Sequence, residues 1–88
     1  MIYSIAYDVK DADRVQQLMD RVNQLGDNIQ YLSNAILLQK EGTSANAIYD
    51  ELRKITIDED RILVSQIDKN RLMGWLSSNA VNWIINHN

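Results

Sequence analysis

The sequence predicts an α+β domain of ferredoxin-like type, a βαββαβ antiparallel sheet with an added C-terminal helix. Three observations lead there. Two helix-patterned segments alternate with four strand-patterned ones in the order strand, helix, strand, strand, helix, strand, which is the split-βαβ order. The first and last of those strands, "IYSIAYDV" and "RILVSQI", are the two most apolar extended runs. The chain has 88 residues, enough for one small domain and too few for two. The reading is therefore a single domain over 1–88, with a core of 1–67 and an extension of 68–88.

Taken in order, Ile2 to Val9 is a strand in which Tyr3, Ile5, Tyr7 and Val9 share one face and Ile2, Ser4, Ala6 and Asp8 the other. Apolar residues on both faces suit a central strand. In "KDADRVQQLMDRVNQLGDN", Val15, Leu18, Met19, Val22 and Leu25 recur at spacings of three and four, the stripe of an amphipathic helix. Asp11 supplies an N-cap, Asp13 favours the first turn, and Gly26 suits the residue after the C-cap. The segment "NIQYLSNAILLQK" reads as a hairpin, Ile29 to Leu32 and Ala35 to Gln39, turning at Ser33 and Asn34. A single bent strand is the other reading of that stretch.

Thr43 or Ser44 then caps a second helix, whose buried stripe is Ala45, Ile48, Leu52 and Ile55, with Glu51 and Arg53 in solvent. "DEDR", residues 58–61, is a solvated acidic turn; it lacks the regular ligand spacing and glycine of a metal loop. Arg61 to Ile67 follows as a strand apolar on both faces, expected beside the first strand in the middle of the sheet. In the extension, Gly74 breaks the chain, Ser77 or Ser78 caps, and Ala80, Trp83 and Ile84 mark a short helix. Trp75 and Trp83 are expected to clamp that helix to the sheet or to a neighbouring subunit.

Composition removes several chemistries. There is no cysteine, so disulfides, thiolate metal sites and thiol nucleophiles are excluded. The one histidine, His87, is expected in solvent, and one histidine builds no multi-histidine metal centre. A metal here would be a hard ion on carboxylates, Mg²⁺ or Mn²⁺; otherwise no cofactor is expected. Net charge −3 with scattered basic residues disfavours a nucleic-acid footprint without removing one. No run approaches the ~20 apolar residues of a membrane span, and the opening lacks a basic signal-peptide region, so the expectation is a cytoplasmic protein with no membrane partner.

Tyr7-Asp8 at the end of the first strand, Asp60-Arg61-Ile62-Leu63-Val64, and Gly74-Trp75-Leu76-Ser77 with Asn82-Trp83-Ile84 carry a resemblance to small bacterial and phage proteins labelled the SinR family. The first strand, the order of elements and "GDNIQYLSNAILL" also resemble the small CRISPR-associated nuclease that partners the spacer integrase. The resemblance implies a ferredoxin-like fold, a homodimer and a link to defence or mobile-element systems. It also implies a role for Asp8 as catalytic and metal-ligating residue near a dimer axis.

Two functions from different classes follow. The first is a small non-catalytic structural or interaction protein, a homodimer with Tyr3, Tyr7, Trp75 and Trp83 at its interface. The second is a Mg²⁺- or Mn²⁺-dependent nuclease in which Asp8 from each subunit shares one ion. A toxin-like ribonuclease resembling virulence-associated protein D is a third. A lone carboxylate is a weak motif, and a strand-end aspartate that satisfies local donors is its plain structural alternative.

Overall fold

In the computed structural model, which describes residues 1–87, the chain forms β1 (Ile2–Asp8), α1 (Ala12–Leu25), β2 (Asn28–Leu32), β3 (Ala35–Gln39), α2 (Ala45–Arg53), β4 (Arg61–Ile67) and α3 (Ser78–Asn86). A single 3₁₀ turn, Lys69–Arg71, separates β4 from the last helix. Asn88, the final residue of the extension 68–88, lies outside the described residues. The sheet runs β2-β3-β1-β4 and every neighbouring pair is antiparallel. This is the ferredoxin-like arrangement with a C-terminal helix.

The caps follow from side-chain chemistry. Asp11 accepts from the Arg14 amide to open α1, Ser44 from the Ala47 amide to open α2, and Ser77 from the Ala80 amide to open α3. Gly26 follows α1 as the pattern predicts, but the reason is proximity. Its backbone is extended, and a Cβ there would stand 2.4 Å from the Gln39 carbonyl oxygen, so β3 approaches closer than any side chain permits. Beside it, the Gln39 amide donates to the Asp27 carbonyl at 2.8 Å.

Tyr3, Ile5 and Tyr7 of β1, with Ile36 and Leu38 of β3, meet Leu18 and Val22 of α1 and Ile48 and Leu52 of α2 in one buried cluster. The other face carries Ser4, Ala6, Leu37, Leu63 and Ile67 by strand alternation, and α3 lies over its β2 side.

One expectation is corrected here. β4 does pair with β1, from Ile2↔Ile67 to Asp8↔Arg61, but it stands at the edge of the sheet, not in its middle. β3 takes the other side of β1, because the β2–β3 hairpin folds back between the two ends of the βαβ unit. The apolar residues on both faces of β4 therefore do not reflect burial on both faces: Ile62 and Val64 pack on the core, while Leu63 is 67% exposed.

Candidate functional site

Tyr3 and Tyr7 do not lie at an open surface, contrary to the expectation that places them at an interface. The shared face is as read, yet it is the face under the helices, where the space between sheet and helices takes large side chains. Tyr3 is fully buried and donates from its hydroxyl to the Thr43 carbonyl at 3.0 Å. Tyr7 is 7% exposed, and its hydroxyl accepts from Gln30 Nε2 at 3.3 Å; burial pushes its phenol pKa up. Both are core residues in this chain and offer no free interface surface. The opposite face of β1 carries small Ser4 and Ala6, and Ser4 Oγ lies 2.7 Å from the Tyr31 hydroxyl.

Asp8 ends β1 with an exposed carboxylate that accepts from Lys10 Nζ at 3.0 and 3.2 Å. Its register partner across the sheet is Arg61. Asp8, Asn34 and Arg61 line part of a shallow hollow of about 240 Å³. Among the described residues, no three acidic, histidine or cysteine side chains gather closely enough to hold a metal ion. A hard cation takes six or more oxygen ligands, so a site built on Asp8 needs carboxylates or waters from beyond this chain's own arrangement.

The acidic turn 58–61 is not uniformly solvated, which corrects a second expectation. The Asp60 side chain is fully buried and accepts from Arg14 Nε at 3.0 Å and Arg14 NH2 at 3.1 Å. The Ile57 amide donates to it as well, at 3.1 Å. The Arg14 guanidinium is the main reason its pKa falls from 3.8 to about 2. This two-pronged bond ties α1 to the turn that leads into β4. Glu51 and Arg53 likewise are half-buried and not free in solvent: Arg21 of α1 donates to Glu51 at 2.5 Å, and Arg53 donates to the Thr56 carbonyl at 3.0 Å.

The two tryptophans part company. Trp83 is half-buried on α3 and stacks on His87, with ring centroids 3.9 Å apart and planes 12° from parallel. His87 is accordingly a packed group, not a solvated one. Its Nε2 lies 2.5 Å from Asp27 Oδ2 and its Nδ1 2.7 Å from the Trp83 carbonyl. The hydrogen bond to Asp27 holds the imidazole pKa above its usual value and the Asp27 carboxyl below its own. Lys69 Nζ donates to the His87 carbonyl at 2.8 Å. Trp75, by contrast, is 99% exposed.

Trp75 stands in an extended stretch beside an apolar groove of about 440 Å³. Leu37 and Ile67 from the sheet, Met73 and Leu76 from the connecting stretch, and Val81 and Ile85 from α3 line it. Met73 is 98% exposed, Ile85 65%, and Leu72 and Val81 are each 42% exposed. With Leu63 on the same face of β4, these residues leave apolar groups in solvent on the side of the sheet that α3 only partly covers and on the segment that follows β4. Such a surface is uncommon on a chain that acts alone. Trp75 stands out in the sequence, but the groove has no local signal: Leu37 meets residues from Ile67 onward, at least 30 positions away.

No family model matches the chain, and no curated protein matches it. A solved structure of a hypothetical protein from Thermus thermophilus is similar to it in fold, with a TM-score of 0.58 and 16% identity over 86% of this chain and 93% of that one. That likeness supports the ferredoxin-like fold and extends no further.

Proposed function

We propose that this chain is a small non-catalytic interaction protein that works as a homodimer through the open face of its sheet. One observation carries the reading: Trp75 and Met73 are almost fully exposed at an apolar groove, more so than any other large apolar side chain among the described residues. Exposing an indole and a thioether to water is unfavourable, and a partner surface relieves it. At 88 residues a monomer buries only a little over 60% of its unfolded surface, so association also adds stability where a small core is limited. β4 supports the same reading, since it offers both an unpaired outer edge and the exposed Leu63.

The competing reading, a Mg²⁺- or Mn²⁺-dependent nuclease with Asp8 at the dimer axis, draws its support from the position of Asp8 at the end of β1. Within one chain that carboxylate is neutralised by Lys10. The test is incubation of labelled single- and double-stranded RNA and DNA with Mg²⁺ or Mn²⁺, using the wild type and Asp8→Asn. Equal, background-level products from both proteins are expected. Metal-dependent cleavage lost in a folded Asp8→Asn protein would overturn the non-catalytic reading.

A further inference from the structure

We propose that two copies of this chain pair across the open sheet face, each seating its Trp75 indole in the apolar groove of the other. The inference rests on the homodimer reading and specifies its contact.

The knob and the groove belong to one stretch of chain. Met73, Gly74 and Leu76 line the groove, and Trp75, between them, does not; its side chain is directed out of its own groove and into solvent. A two-fold axis pairs a surface with itself, so a patch holding both a projecting group and a receiving groove satisfies both at once. A different partner would have to bring its own counterpart for each. Gly74, beside Trp75, has open space around its Cβ position, so no other part of the chain crowds the base of the projecting indole.

The sizes agree. Trp75, Met73, Leu63, Ile85, Leu72 and Val81, at their observed exposures, present on the order of 800 Å², which is what each partner of a standard interface buries. A groove of about 440 Å³ falls within the range of pockets that enclose an organic group the size of an indole or larger. Tryptophan is also among the residue types enriched as interface anchors, seated in well-packed pockets.

The test is sedimentation equilibrium on the wild type, Trp75→Ser, Ile85→Lys and an equal mixture of the two variants. Both substitutions change exposed side chains, and circular dichroism verifies that each variant is folded. The wild type is expected at twice the chain mass of 10.2 kDa. Each variant alone is expected to associate roughly thirtyfold or more weakly, the loss typical of an anchor residue. The mixture decides the geometry. Its mixed dimer places the intact Trp75 of one chain in the intact groove of the other, so it is expected to associate more tightly than either variant alone. A dimer that survives Trp75→Ser unchanged, or a mixture no tighter than its parts, would overturn the seating while leaving the homodimer standing. A wild type at single-chain mass would overturn both.

Discussion

The two faces of one four-stranded sheet have opposite fates. Beneath α1 and α2, Tyr3, Ile5, Tyr7, Ile36 and Leu38 are none of them more than 7% exposed. On the other side α3 lies over β2, while Leu63 on β4 is 67% exposed and the segment leading to α3 carries Met73 and Trp75 in solvent. Both faces carry apolar residues, although the second also carries Ser4, Ala6 and Ser65, so composition separates them only in part. The difference is the number of helices available: two amphipathic helices close one face, and one short helix of nine residues cannot close the other. The closed face accounts for folding, and the half-open face leaves large apolar side chains in solvent.

The largest effect expected from breaking this asymmetry is in the closed face. Leu52 is fully buried against the sheet, and Leu52→Ala is expected to cost about 2–5 kcal/mol through lost burial and the cavity left behind. Leu63→Ala, on the open face, is expected to cost about 0.5 kcal/mol or less in the single chain, as exposed substitutions do. Urea unfolding at a concentration low enough to keep the chains apart checks both. Comparable losses at the two positions would mean that the open face is covered within the chain itself.

Gly26→Ala comes next. The added Cβ meets the Gln39 carbonyl at 2.4 Å, a backbone atom that cannot rotate away, so α1 or β3 must shift. The expected cost is about 1–3 kcal/mol, the range for overpacking. Thermal unfolding that leaves the midpoint unchanged would show that the α1–β2 corner yields freely.

How much of this was legible in the sequence depends on how far apart the participants lie. Elements set by local pattern were readable: Asp11, Ser44 and Ser77 cap where their side chains reach an amide three residues on, and Ala35 to Gln39 forms the strand its apolar run suggests. The alternation of Tyr3, Ile5 and Tyr7 was readable too, but the side on which the helices lie was not, because β1 is apolar on both faces. The edge position of β4 was hidden for the same reason: Leu63 imitates a core residue until the sheet order is known. Asp60 with Arg14 is separated by 46 positions and His87 with Asp27 by 60, and no spacing rule links residues that only the finished fold brings together.

Asp60 gives an acid-sensitivity test of the closed side. Its folded pKa, about 2, lies below the ordinary 3.8, so the unfolded chain binds the proton more readily. The stability it contributes is present above 3.8 and is lost as pH falls toward 2. Urea midpoints measured across that window are expected to fall for the wild type. Asp60→Asn is expected to be less stable at neutral pH and to show a flatter fall in acid. Parallel pH profiles for the two proteins would remove the Arg14–Asp60 pair from the account of acid unfolding.

The smallest expected effect concerns the helix that half-covers the other face. Both ring nitrogens of His87 face oxygens that only accept, the Asp27 carboxylate and the Trp83 carbonyl. Each contact needs a proton on its nitrogen, so the geometry is that of an imidazolium. The charged groups facing the ring are Asp27, which favours that form, and Lys69, which opposes it more weakly. With the folded pKa raised above 6.5, the contribution is fully present below 6.5 and is lost as pH rises through the folded value. Fluorescence of Trp75→Phe, which leaves Trp83 as the one indole, reports the stacked imidazolium through quenching. Emission is expected to rise with pH at a midpoint above 6.5, and Asp27→Asn is expected to bring that midpoint down. A midpoint at or below 6.5 that ignores Asp27→Asn would mean that α3 is held by its apolar contacts alone, and that the half-open face keeps its groove at any pH.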